Sequence, residues 1–409
     1  MHLIGRREFV AGGALAPFAF AAGARKKVAI VATVYRPGSH SDVIAGRLLG
    51  GYEYDGEKRK PLLDVVSMYI DQFPEDDLSR GMSAKYHFPI SPTVRGALTL
   101  GAKLLAVDGV VLIGEHGDYP DNEKGQKMYP RYELFKQIVD VFRESGRAVP
   151  VFNDKHLSYD WKKAKWMYDQ SRELNFPLMA GSSVPLAWRR PPFELDLGAP
   201  VERAVAIGFS GMEIYGFHTL EALQCMVERR KGAEAGIAAV QCLKDDAAWK
   251  WLDANAWAEN LMNAGLRRIE KPQPGSLRDN VKHPIVFALD YTSGLKAAVV
   301  MLTGHLTDFA FAANLAGRPE PVSTEIWLQP VRYFSHFAGL VYYIEQTIAT
   351  GKEQYPVERT LLTTGALAAL FDSSYQDGKR IETPQLAIRY RAPEKSLYNR
   401  GPVPAPEKA

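Results

Sequence analysis

Val28-Ala29-Ile30-Val31-Ala32-Thr33, followed by Val34-Tyr35-Arg36-Pro37-Gly38-Ser39-His40-Ser41-Asp42, is the stretch on which the fold turns. A run of apolar and β-branched residues without alternation reads as a strand buried on both faces, because a strand with one wet face alternates. Ser39, Ser41 and Asp42 carry side-chain oxygens suited to capping a helix, which continues from Asp42 to Leu49. The rhythm then repeats. Strands are expected at Asp64 to Ile70, Gly109 to Gly114, Ala148 to Phe152 and Pro177 to Ala180, with helices at Thr93 to Leu105, Tyr132 to Ser145 and Trp161 to Leu174.

Apolar strands alternating with helices imply right-handed βαβ units and a Rossmann-like doubly wound parallel sheet over 25–185. Beyond Pro191-Pro192 the pattern changes. Ile285 to Tyr291 and Leu295 to Leu302 flank Thr292-Ser293-Gly294 as a hairpin, and Val322 to Leu328 reads as a further strand. Helices are expected at Met212 to Arg230, Val331 to Ala349 and Pro356 to Ser374. This half, 186–390, is expected to be an α+β domain with an open, mostly antiparallel sheet, followed by a Pro-rich tail over 391–409. A sheet left open on one face invites pairing with a second copy, so a homo-oligomer is expected.

At 409 residues the chain exceeds one ordinary core. Its 50 basic and 47 acidic side chains are spread evenly, for a net charge of +3, which gives no electrostatic case for a nucleic-acid partner. Residues 1–24 carry Arg6-Arg7, a weakly apolar Ala/Gly-rich stretch and two A-x-A sites, Ala19-Phe20-Ala21 and Ala22-Gly23-Ala24. That is the twin-arginine export pattern, so the expected partner is the twin-arginine machinery and the expected location periplasmic or otherwise extracytoplasmic. The stretch is too short and Gly-rich for a stable membrane span. Cys225 and Cys242 either pair in that oxidising setting or sit as small buried residues, one on a helix and one on a strand; the second reading is favoured.

Phe152-Asn153-Asp154-Lys155-His156 and Gly211-Met212-Glu213-Ile214-Tyr215-Gly216-Phe217-His218-Thr219-Leu220-Glu221 carry a likeness to a known family. In order and spacing, together with Gly351-Lys352 through Thr383-Pro384, the chain resembles the glucose–fructose oxidoreductase and inositol dehydrogenase family (Gfo/Idh/MocA-like). There the fifth strand ends in Glu-Lys-Pro, and a later helix follows G-x-x-x-D-x-G-x-H-x-x-D. The resemblance implies an oxidoreductase that moves hydride between NAD or NADP and a sugar, cyclitol or related polyol. It makes Lys155 and His218 the catalytic pair, with Asp154 and His156 beside them. Tyr35, Arg36, Gly38, Ser39, Asp71, Glu115 and His116 become cofactor-side residues. Tyr119, Tyr159, Tyr215 and Glu221 become substrate-side residues, and Glu221, three positions after His218, is placed to orient its ring.

The departures matter as much. The family's G-x-G-x-x-G turn is replaced by Val34 to Asp42, where Gly38 is the single glycine, and Asp71 lies further on than the usual ~20 residues. The family Asp before the helix His is Ile214 here, and the Pro after the Lys is His156. The density of His116, Asp118, Asp154, His156 and His218 at strand ends raises a rival: a divalent metal serving redox-neutral chemistry on a carbohydrate. None of these pairs has a recognised ligand spacing. A binding protein without turnover is the third reading.

Overall fold

The computed structural model describes residues 25–329 and 334–404. The signal-peptide reading of 1–24 lies outside them. Strands β1 (Lys26–Ala32), β4 (Leu63–Ile70), β5 (Ile90–Ser91), β6 (Gly109–Ile113), β7 (Val151–Asp154) and β8 (Leu178–Gly181) form a parallel sheet in the order β5-β4-β1-β6-β7-β8. A short hairpin, β2 (Tyr52–Tyr54) and β3 (Glu57–Arg59), is inserted after the first helix. The chain reverses its direction of travel across the sheet between β1 and β6. At such a switch point the loops after the strands diverge and leave a crevice.

Helices cover both faces of this sheet. α1 (His40–Gly50) packs on one, while α3 (Val94–Thr99), α4 (Arg131–Ser145) and α5 (Trp161–Glu173) pack on the other; α2 (Ser79–Tyr86) lies at the β4–β5 edge. Val28, Ile30, Val111 and Phe152 point to the first face and Ala29, Val31, Val110 and Val151 to the second, all essentially inaccessible. That is why these strands read as unbroken apolar runs. The Ser39 hydroxyl caps α1 by accepting from the Asp42 amide at 3.3 Å, a contact worth about 1 kcal/mol. The helix expected over Thr93 to Leu105 stops at Thr99, because Leu100 (φ +53°) and Gly101 (φ +79°) turn left-handed.

The second sheet has eight strands: β9 (Trp188–Arg190), β10 (Val201–Gly208), β11 (Ile237–Lys244), β12 (Ile285–Tyr291), β13 (Lys296–Met301), β14 (Phe309–Leu315), β15 (Val322–Trp327) and β16 (Ile381–Glu382). Their order is β16-β11-β12-β13-β10-β14-β15-β9, antiparallel except for β10 beside β13. Helices α6 (Ile214–Val227) and α11 (Glu358–Tyr375) cover one face. The other face is not open. α7 (Asp245–Ala254) and α8 (Ala256–Leu266) lie on it and bury Leu252, Leu261 and Met262 against Val205, Ile207 and Val300, while α9 (Leu277–Asn280) sits at the rim. The surface from which a second copy was expected is thus filled by the chain itself.

α10 (His336–Thr350) returns from the second half and buries Phe337, Leu340 and Ile344 in the same core as α1. The tail runs over both halves without regular structure, held where Leu186 O accepts from Asn399 N (3.0 Å) and where Trp188 Nε1 donates to Gly401 O (2.9 Å). Cys225 on α6 and Cys242 on β11 are free and buried, and burial pushes both thiols up to about 12, so neither is a reactive thiolate. Among the described residues no helix is long and apolar enough to cross a membrane.

Candidate functional site

Lys155 follows directly on β7 with φ +56°, a conformation that costs a long side chain on the order of 1 kcal/mol or more and persists when the surroundings impose it. His116, just after β6, is likewise left-handed at φ +66°. Strained residues thus stand at the ends of two neighbouring strands, at the mouth of the crevice. The Lys155 ammonium is buried and donates to Glu115 Oε2 at 3.0 Å. Arg131, the first residue of α4 and fully buried, binds the other oxygen of Glu115 and donates from Nη1 to His156 Nε2 at 3.0 Å. A cation at a helix N-terminus opposes the helix dipole, so Arg131 is there for Glu115 and not for α4.

The second half contributes α6. His218 Nδ1 pairs with the Ser182 hydroxyl at 2.5 Å, and Tyr215 and Phe309 lie 5.8 and 6.4 Å from its ring. His218 sits on the second turn of α6. Burial, then the Lys155 charge, holds it neutral. Glu221 does not orient His218. Its carboxylate accepts from the Thr363 hydroxyl at 2.6 Å and faces Gly181, whose φ of +119° no other residue adopts easily. A Cβ there would stand 2.6 Å from Thr360 Oγ1 and 2.7 Å from Glu221 Oε2. Gly181→Ala is therefore expected to lower stability by about 2–4 kcal/mol, read from denaturant midpoints at unchanged m-value.

Asp154 is the third contributor. Its Oδ2 accepts from His40 Nδ1 at 2.6 Å. His40 in turn packs edge-on against His116 (5.3 Å) and Phe337 (5.0 Å), and His336 stands beside Phe337. Burial, aided by neighbouring positive charge, holds His116 and His336 down at about 3 and His40 well below its usual range, so these imidazoles are neutral. Burial raises Asp154 to about 6 and lowers Lys155 to about 8, which brings the adjacent pair's titrations toward neutrality. His116 Nε2, His156 Nδ1, Glu213 Oε1 and Ser183 Oγ are buried here without a hydrogen-bond partner. Orphaned polar atoms concentrated at one spot mark a place built to meet a polar ligand.

Beside this cluster, at the switch point, lies a cleft of about 420 Å³ lined by Val34, Arg36, Gln72, Phe73, Gly117 and Asp118. Arg36 makes no ion pair among the described residues. Gly38 (φ +71°) has open space where a Cβ would be. Asp71 accepts from the hydroxyls of Tyr69 (2.7 Å) and Tyr119 (2.6 Å).

The sequence matches no protein-family model, and no curated protein matches it. Solved structures do match. GenD2 from gentamicin A biosynthesis, in complex with NAD, is 14% identical over 90% of this chain and 99% of its own, with a TM-score of 0.57. Myo-inositol dehydrogenase from Lactobacillus casei, in complex with NAD(H) and myo-inositol, is 11% identical over 92% and 100%, with a TM-score of 0.52. Myo-inositol 2-dehydrogenase from Lactobacillus plantarum is 11% identical over 88% and 99%, with a TM-score of 0.53. This chain has the inositol dehydrogenase fold. The resemblance read from the sequence holds at the level of that fold.

Within the inositol dehydrogenase fold the expected residues separate into groups. Lys155, Asp154, His156, Glu115, His116 and His218 come together, with Tyr215 against His218. Arg36 lines the cleft, with Gly38, Ser39 and Asp71 on the loops around it, and Tyr119 joins Asp71 instead of the Lys155 cluster. Tyr35 is a core residue under α1, fully inaccessible, because its ring packs with Val43, Ile44 and Leu48 in that core. The Tyr159 hydroxyl is bonded by Lys163, which also binds Glu133 on the α4–α5 side. Glu115, placed on the cofactor side from the sequence, is the partner of Lys155. Among the described residues no group of three or more His, Cys, Asp or Glu side chains is arranged to hold a metal ion. Sequence reasoning missed His40, Arg131 and His336. The first two left signals: a histidine next to the Ser39 cap, and an arginine at the first helical position after Pro130.

Proposed function

We propose that the protein is a nicotinamide-dependent oxidoreductase acting on the CH–OH group of a sugar, cyclitol or related polyol. The observation that carries the reading is Lys155, forced into a left-handed conformation at the end of β7 and held by Glu115. The cleft suits the anionic part of a nicotinamide dinucleotide: Arg36 offers a charge for phosphate, Gly38 a bare backbone, and Asp71 a carboxylate for ribose hydroxyls. When bound, that group would accept or return the hydride. The chain's own residues manage the proton. The Lys155 ammonium fixes the substrate hydroxyl and stabilises negative charge growing on its oxygen. With Nδ1 engaged by Ser182, Nε2 of neutral His218 is the nitrogen left to take the hydroxyl proton.

Two of the similar structures support the reading, since they hold NAD or NAD(H) and one of them also myo-inositol. A second reading rests on one observation: His40 reaches Asp154 from the first residue of α1 and packs on His116, next to the cleft-lining Gly117. A site so bridged suits acid–base chemistry on a carbohydrate without a dinucleotide. Incubation with sugars and cyclitols plus NAD⁺ or NADP⁺, followed by the absorbance of the reduced nicotinamide, separates the two. Reduction that requires both partners supports the oxidoreductase; substrate consumption without any reduction supports the second reading. Export by the twin-arginine route to the periplasm is part of the proposal, and its test is the loss of secretion in Arg6→Lys with Arg7→Lys.

A further inference from the structure

On the face of the second sheet opposite α6, the turn between α7 and α8 builds a corner of two indoles. Trp251 and Trp257 stand 5.9 Å apart at 83°. Asn255 between them locks the corner: its Nδ2 donates to Trp251 O at 2.8 Å, and its Oδ1 accepts from Trp257 Nε1 at 3.3 Å. Both indoles are half-buried, anchored by the adjacent Leu252 and Ala258 in the core beneath. The corner opens on a cavity of about 130 Å³ whose floor is β12 and β13. That is below the range of a drug-sized pocket, so the space suits one small unit and not an extended ligand.

The polar groups of the cavity are of both signs. Asp290 and Lys296 lie directly opposite each other on β12 and β13. Asp290 Oδ2 accepts from Arg380 Nη2 at 2.8 Å, and Lys296 makes no ion pair among the described residues. Asp290 Oδ1 and Lys296 Nζ therefore remain to engage a ligand's hydroxyls, one as acceptor and one as donor. An isolated anion would meet Asp290, and an isolated cation would meet Lys296 and Arg380, so the set favours a neutral ligand. Flat apolar walls beside a paired acceptor and donor match a pyranose, which has an apolar C–H face and vicinal hydroxyls. We propose that this corner is a binding site for a single pyranose unit, such as the terminal residue of a glycan, separate from the Lys155 site.

The separation is structural: Lys155 and His218 lie on the α6 side of the second sheet, and the indole corner on its opposite face. Binding here would hold the protein to glycan without occupying the site of chemistry. The test is titration of the substrate-free full chain with the methyl glycosides of glucose, galactose, mannose and xylose, followed by tryptophan fluorescence and by ligand-observed NMR. At least one glycoside is expected to saturate in the millimolar range. Trp251→Ala and Trp257→Ala are each expected to weaken it by about tenfold. Because either could loosen α7 and α8, Asp290→Asn and Lys296→Ala, both on the strands beneath and outside those helices, are measured as well and are expected to weaken binding with unchanged melting. His218→Ala is expected to leave the titration unchanged. Failure of all four glycosides to saturate, or binding that survives in all four corner variants, overturns the proposal. The titration uses neither cofactor nor turnover, so it stands apart from the oxidoreductase reading.

Discussion

Lys155→Ala is expected to reduce turnover by about 10³-fold or more while the protein stays folded and still binds substrate. The lysine brings the only ammonium among the groups shown to gather at the ends of β6 and β7, and it does so inside a buried site where a fixed charge acts through little solvent screening. An alkoxide forming there without that charge faces neutral imidazoles, since burial holds His116, His156 and His218 uncharged, while the Arg131 guanidinium is already engaged by Glu115 and His156. Stability should change little. The substitution removes a buried cation and its desolvation cost, while Glu115 keeps Arg131. The pH profile carries the same account. The productive state needs Lys155 protonated and Asp154 ionised, so the rate should form a bell that falls below about 6 and above about 8. In Lys155→Arg the alkaline limb should vanish, because a guanidinium keeps its proton. An active Lys155→Ala protein, or a rate flat across neutrality, would contradict the assignment.

Arg131→Met carries the largest expected cost in stability, about 3–5 kcal/mol, read from denaturant midpoints. Arg131 is fully buried, grips Glu115, and donates to His156. Removing it leaves Glu115 with Lys155 alone and His156 Nε2 with nothing closer than Glu213 at 3.9 Å. The double variant Arg131→Met with Glu115→Gln should recover part of the loss, because the unpaired charge goes with its partner. No recovery would show that packing of the arginine stem beneath Gly114, and not its charge, carries the effect.

How much of this was legible follows from where the information lies. The parallel strands around Val28, Val111 and Val151 were readable because both faces are buried, and local composition alone records that. Lys155 was readable because its neighbours Phe152 to Asp154 mark a strand end. β10, β14 and the α7–α8 pair were not anticipated. Phe309-Ala310-Phe311-Ala312-Ala313 is rich in alanine, a poor strand former, and becomes a strand only because it pairs with β10 and β15. The open-sheet argument for an oligomer failed at the same point, since the covering helices come from that unread segment. The His40–Asp154 and Arg131–Glu115 contacts span 114 and 16 residues and depend on loop conformations that composition does not encode. Glu221 was placed by helical spacing, but the structure binds it to Thr363 on α11, a partner no single-helix argument can reach.

The most direct test of the oxidoreductase account is to purify the protein, denature it, and identify the released small molecules by mass spectrometry, then titrate the empty protein with NADH and NADPH. The account predicts a dinucleotide at about one per chain, or saturable binding on titration that weakens in Arg36→Ala. An empty supernatant together with no binding of either reduced dinucleotide would contradict it, and would leave the His40-bridged site to chemistry that moves protons alone.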